Sequence, residues 1–238
     1  MTILGIETST AVCSVGVARR TSGHRNALAD EHPLQSEKSI IESHIHSEKL
    51  LTLVQEVCHE QQLKLSQLDG VAVSIGPGSF TGLRIGLSAA KGLCFSLEKP
   101  LLAVPTFESV AKSVFMTHPE CERVIVCIDA KQREYYIGAY EQMNGTVREV
   151  LQVHIGSILS ALQSVQQHTI VVTDTANEVK KESRDSIVVE NVLSHCRGDI
   201  IARLALEKWS SQNNLGWEQL EPKYLKDFVV KVHKNSED

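Results

Sequence analysis

The sequence is short of the features that would assign it quickly. Its six cysteines, Cys13, Cys58, Cys94, Cys121, Cys127 and Cys196, form no C-x-x-C pair and stand apart among apolar neighbours. That spacing argues against a zinc knuckle or a disulfide framework, and for reduced, buried thiols in a cytoplasmic protein. No apolar run approaches the roughly 20 residues of a membrane-spanning helix. Even the segment from Thr81 to Leu97 is broken by Arg84 and Lys91. The opening MTILGIETST has no basic stretch and carries Glu7 where a secretory leader would be apolar, so it reads as a strand. Lys and Arg are neither in excess, at 24 against 29 acidic residues, nor clustered. This disfavours an autonomous nucleic-acid binder, whose affinity would rest on neutralising phosphates. Aromatics are scarce at 5%, yet 42% of the 238 residues are hydrophobic, enough to exclude a disordered chain and to fill one large domain or two small ones.

What is present is a repeated pattern. Thr2 to Glu7 and Val12 to Ala18 read as strands joined by the polar turn Thr8-Ser9-Thr10, and a third strand is expected near Ala27 to Glu31. Apolar residues at Ile45, Leu50, Leu51, Val54, Val57 and Cys58 have helical spacing. A strand at Gly70 to Ile75, a glycine-rich loop, a helix from Leu83 to Leu97, a strand at Leu101 to Val104 and a helix from Thr106 to Phe115 follow. Arg123 to Asp129 and Glu134 to Tyr140 then restart the strand–turn–strand opening, with Asp129 in the place of Glu7, which reads as a weak internal duplication. Strands at Val147 to Val153 and Thr169 to Thr173 and helices near Ser157 to Val165, Thr175 to Glu182 and Gly198 to Gln212 complete the second half. The expected organisation is an N-terminal lobe at 1–107 and a C-terminal lobe at 108–213, with a cleft between them and residues from about 214 to 238 packing back on the first.

Three features invite a functional reading. Gly76, Pro77, Gly78, Ser79 and Thr81 lie in a loop between a strand and a helix, where backbone amides can hold an anion. The loop is neither a Walker nor a Rossmann fingerprint. Its other reading is a demanding turn with Ser79 or Thr81 as helix cap. Gly82, Gly86, Ala90 and Cys94, four residues apart, form a ridge of small side chains, fitted either to the chain's own sheet or to a second helix at a subunit interface. On the interface reading a bulky residue at Gly86 blocks pairing without unfolding the monomer. Glu7 and Asp129, at strand ends, are either paired cleft acids for magnesium or water, or stabilisers of their own turns. His44 and His46 sit two residues apart, so on a helix they would diverge and not share a metal ion. No H-E-x-x-H or G-x-S-x-G occurs, and no catalytic set converges.

The residues GPGSFTGLRIGLSAAKGL at 76–93 resemble the signature of the TsaB (YeaZ) family, the bacterial partner subunit of the machinery that adds threonylcarbamoyl to an adenosine of tRNA. ILGIETST at 3–10, HSEKLL at 46–51, AVPTFESVA at 103–111, CIDAKQREYYIGAY at 127–140 and EPKYLKDF at 221–228 agree in order, so the resemblance spans nearly the whole chain. It implies an α/β, two-lobed actin-like ATPase (ASKHA) fold with duplicated β-β-β-α-β-α halves, reduced in size. It also implies a non-catalytic role. The catalytic relative TsaD carries two metal-binding histidines in a V-N-H-x-x-x-H segment where this chain has Thr106 and Val110. The implied partners are a TsaD-like subunit, met through His46, Leu50, Leu51, Val54 and the 82–94 ridge, a TsaE-like ATPase, and a second copy of the chain when the partner is missing. tRNA is involved indirectly, ATP and magnesium are used by the complex, and neither a metal nor a cofactor of its own is expected. Glu7 stands where the family commonly has Asp, and Lys131 and Lys226 where it has Arg, which removes guanidinium forks from two positions. The competing class is a glycoprotease-like or sugar-kinase-like enzyme that uses the GPG loop and Glu7; a simple homodimer is a third.

Overall fold

A computed structural model describes residues 1–20, 36–42, 44–183, 187–209 and 219–226. The first half runs β1 (Thr2–Glu7), β2 (Val12–Arg19), β3 (Ser36–Ile41), α1 (His46–Glu60), β4 (Gly70–Ser74), α2 (Phe80–Leu97), β5 (Leu101–Val104) and α3 (Thr106–Thr117). The second runs β6 (Arg123–Asp129), β7 (Tyr135–Met143), β8 (Thr146–Gly156), α4 (Ile158–Gln163), β9 (Thr169–Thr173), α5 (Ala176–Glu182), β10 (Val188–Asn191) and α6 (Gly198–Glu207). The strand expected near Ala27 to Glu31 lies outside the described residues. The third strand observed is β3, a polar edge segment (SEKSII) whose sequence has no strong alternation. Four-residue β10 was likewise invisible to periodicity.

The duplication is complete in topology. One sheet has the order β3-β2-β1-β4-β5 and the other β10-β9-β6-β7-β8, which is the same order read from its other edge. In each, a central strand pairs antiparallel with its hairpin partner and parallel with the strand after the next helix. Each half thus extends beyond the expected β-β-β-α-β-α by a further strand and helix.

Those last helices change lobes. α3 places Phe107, Val110, Ala111 and Val114 against Val124, Val126 and Tyr140 of the second sheet. α6 returns to the first sheet, where Ile200, Ile201 and Leu204 meet Ile3, Ala72 and Leu102. The division at 108–213 therefore assigned α6 to the wrong sheet. Its ten residues lie on the face of the first sheet opposite α1 and α2, whose Leu50, Val54, Leu87 and Cys94 form a separate core. The crossing is fixed by polar contacts as well as apolar ones. The Gly198 amide donates to Ser14 Oγ at 2.8 Å, Arg197, held by buried Asp199, pairs with Glu37 of β3 at 3.3 Å, and Lys112 of α3 pairs with Glu207 of α6 at 3.1 Å.

Candidate functional site

The loop after β4 is closed on its own chain. The Gly76 amide donates to Thr106 Oγ1 at 3.2 Å, the Ser79 amide to the Ser9 carbonyl at 2.6 Å, and Ser79 Oγ caps α2 by accepting from the Gly82 amide at 3.2 Å. The Gly76, Ser79 and Gly82 amides are thus engaged within the chain, and Ser79 caps α2, as one of the two sequence readings expected.

The small ridge corrects the interface expectation. Gly82, Gly86, Ala90 and Cys94 are all buried and face inward. A Cβ on Gly82 would come within 2.0 Å of the Thr8 carbonyl oxygen, and one on Gly86 within 2.2 Å of Thr8 Oγ1. Thr8 in turn donates its hydroxyl to the Gly82 carbonyl at 2.8 Å. The small residues admit a turn of the chain's own sheet, and all four are buried against it. Val54 is likewise core. Cys94 donates its thiol to the Pro100 carbonyl, and burial pushes its pKa up to about 12.

The surface beside the ridge is different. Between α1 and α2 lies a groove of about 350 Å³ lined by His46, Leu50 and Leu51 of the first helix and Arg84, Ile85 and Ala89 of the second. Leu51 is 55% exposed there. His46 and Leu50 contribute only edges, being buried, and the His46 Nε2 lies 3.1 Å from the Val12 carbonyl of β2. Ile85 and Ala89 belong to the helical row next to the ridge. Sequence reading missed them because the glycines drew attention to the neighbouring row.

The two acids are not brought into one site by any contact among the described residues. Each closes its own turn: Glu7 Oε1 accepts from the Ser9 amide at 2.6 Å, and Asp129 Oδ1 from the Lys131 amide at 2.8 Å. Burial pushes the Glu7 carboxyl up, against hydrogen bonds from Ser9, Ser74 and Thr8. Burial would push Asp129 up as well, but the hydrogen bonds and charge of Lys131, with the charge of Lys226, hold it below the usual carboxylate range.

A Ser–His–Glu chain does occur, unseen in the sequence because its members are distant. Ser113 Oγ lies 3.1 Å from His195 Nδ1, and His195 Nε2 lies 2.6 Å from Glu190, which also takes His118 Nε2 at 2.8 Å. Ser113 and His195 are buried, and burial pulls the imidazole pKa down. The hydroxyl has no path to an acyl substrate, so the chain is a clasp between α3 and the β10–α6 segment. Thr106 and Val110 are also wholly buried, Thr106 bonded to Gly76 and Val110 packed in the second core. Among the described residues no three His, Cys, Asp or Glu side chains group so as to hold a metal ion, and no helix is long and apolar enough to cross a membrane.

Residues 40–232 match the family model of TsaD, tRNA N6-adenosine threonylcarbamoyltransferase. The chain is 27% identical to the tRNA threonylcarbamoyladenosine biosynthesis protein TsaB of Haemophilus influenzae over 97% of its own length and 95% of that protein's. It is 32% identical to TsaB of Escherichia coli over 60% of this chain and 56% of that one. The solved structure of YeaZ from Pseudomonas aeruginosa superposes with a TM-score of 0.76 at 25% identity, covering 94% of this chain and 100% of that chain.

Proposed function

The chain belongs to the family that the TsaD model describes and, within it, to the TsaB (YeaZ) proteins, and from that premise we propose that it is the non-catalytic partner of a TsaD-like transferase. In this reading the partner transfers threonylcarbamoyl to a tRNA adenosine, and this chain supplies interface energy that favours the partner's competent conformation. A TsaE-like ATPase joins the pair, ATP and magnesium act in the complex, and tRNA meets this subunit only indirectly. Without the partner, two copies pair through the same surface.

The observation that carries the reading is the open apolar surface of the first lobe: the α1–α2 groove leaves Leu51 in solvent beside Ile85 and Ala89, while Ser113 and Thr106 are buried in contacts within the chain. Apolar side chains grouped in this way on a helix pair favour a protein partner.

The test is transfer of labelled threonine to unmodified tRNA by matched TsaD-like and TsaE-like subunits together with the enzyme that makes the threonylcarbamoyl adenylate. Labelling should depend on this chain. Unchanged labelling without it, with every other component active, would overturn the proposal. Titration of the isolated chain with ATP and magnesium separates the competing class: heat at micromolar nucleotide would favour a sugar-kinase-like enzyme.

A further inference from the structure

Residues 220–226 belong to no helix or strand, yet they touch both lobes. Leu220 packs against the core under α1 and α2, and the Lys223 amide donates to the Ile75 carbonyl at 2.8 Å, at the start of the GPG loop. Tyr224 then lies on the first turns of α2. Its ring centre is 4.8 Å from that of Phe80, and its hydroxyl accepts from Arg84 Nε at 2.9 Å. The Arg84 guanidinium sits 3.9 Å over the Phe80 ring and 5.7 Å from the Tyr224 ring. Arg84 is also a wall of the groove, so this stack sets the position of the one Lys or Arg side chain among the groove's lining residues.

Two residues further on, the segment reaches the second lobe. Lys226 Nζ donates to the Ala130 carbonyl at 3.1 Å and the Lys131 carbonyl at 3.4 Å, and pairs with Glu134 at 2.7 Å. All three ammonium donors are thus spent on one turn. That turn is unusual: Lys131, Gln132 and Arg133 have φ of 67°, 62° and 62°, three consecutive left-handed residues without a glycine. Such backbone persists only where the surroundings hold it. Inside the turn the Ala130 amide donates to the Glu134 carbonyl at 2.8 Å, and Asp129 takes the Lys131 amide. Lys226 adds a cation from outside, on the carbonyl side.

We infer that residues 220–226 are a strap tying the rim of the α1–α2 groove to the left-handed turn of the second lobe, with Tyr224 and Lys226 as its two anchors. The anchors are two residues apart, so at about 3.3 Å per residue the backbone between them adds little slack to that of the two side chains. Displacing one lobe against the other therefore loads an anchor, and a shift of Arg84 at the groove is passed to the β6–β7 turn. The inference does not depend on the identity of the partner.

Hydrogen–deuterium exchange of the full chain tests it, read at amides 131–134 and 80–84 in the parent and in Tyr224→Ala, Lys226→Met and Lys226→Arg. Tyr224→Ala removes contacts only in the first lobe, yet it should speed exchange at 131–134 by about threefold or more. Lys226→Met should do the same at 80–84, and Lys226→Arg, which keeps the donors, should exchange as the parent does at both ends. If each variant loosens only its own end, there are two separate contacts and no strap. Tyr224 is 42% exposed, so its alanine variant carries the test even if Lys226→Met fails to fold.

Discussion

The two strand–turn–strand openings, β1–β2 and β6–β7, are built alike and finished differently. Each ends its first strand with a carboxylate that accepts the amide two residues on. In the first lobe an 18-residue α2 then lies across the turn, its small ridge seated on Thr8. The counterpart in the second lobe is the seven-residue α5, and α1 with 15 residues is matched by α4 with six. Glu7 is buried there, with no cation beside it among the described residues. The open turn leaves Asp129 beside Lys131 at 2.9 Å and within the field of Lys226. The same local motif thus holds a carboxyl whose charged form is disfavoured in one lobe and one whose charged form is favoured in the other. The longer helices of the first lobe also create a groove between them in which Leu51 is exposed.

The comparison breaks most readily at the clamp. Gly82→Ala would drive a methyl into the Thr8 carbonyl and should cost about 3 kcal/mol or more, lowering Tm by about 6–12 °C in a calorimetric scan. On the same helix, Gly92 has open space around its Cβ position, so Gly92→Ala should instead gain about 0.5–1 kcal/mol. Gly86→Arg, expected on sequence grounds to block pairing in a folded monomer, should unfold the first lobe. Equal Tm values for Gly82→Ala and Gly92→Ala would remove the clamp.

Leu51→Asp should leave Tm within about 2 °C of the parent while weakening binding to a TsaD-like partner by about 2 kcal/mol, near thirtyfold, in a titration. Binding unchanged by a folded Leu51→Asp protein would move the docking surface off the groove.

Smaller effects separate the two carboxyls by sign. Glu7 has a raised folded-state pKa, so the stability it contributes is fully present below its usual 4.5 and is lost as pH rises through the folded value. The Tm of Glu7→Gln relative to the parent should therefore climb as pH rises above 4.5. Asp129 has a lowered pKa, so its contribution is present above 3.8 and is lost as pH falls through the folded value. Asp129→Asn should be destabilised near neutrality by less than about 1 kcal/mol, since solvent screens the pair, and the deficit should close in acid. Identical pH profiles would mean that the two turns are electrostatically alike.

Least affected should be Ser113→Ala. It removes one buried hydrogen bond and should cost about 1 kcal/mol of stability, with tRNA labelling unchanged. A loss of labelling in a folded Ser113→Ala protein would give the Ser–His–Glu chain a chemical role after all.

Where interactions are short in sequence, the residues alone were informative. The short apolar runs in TILGIE and RVIVCID with the turns that follow them, the helical spacing from Ile45 to Cys58 and the Ser79 cap each depend on neighbours within a few positions, and each is found in the structure. The boundary of the second lobe and the role of the ridge were less legible. α6 has the pattern of any amphipathic helix, and nothing local says that its apolar face meets Ile3 and Leu102 and not the strands just before it. Ser113, His195 and Glu190 lie too far apart in the chain to read as a unit.

By itself the sequence determined that this is an α/β chain with two related halves, a capped helix after a glycine-rich loop, and no local catalytic signature, because turn chemistry and side-chain periodicity act over one or two turns of backbone. Tertiary structure alone decided which row of α2 is surface, which acid keeps its charge favourably, and which lobe each final helix serves. A ridge of small side chains fits any close neighbour, and a carboxyl's ionisation follows the water and cations around it; both are set by segments brought together only when the two sheets are complete.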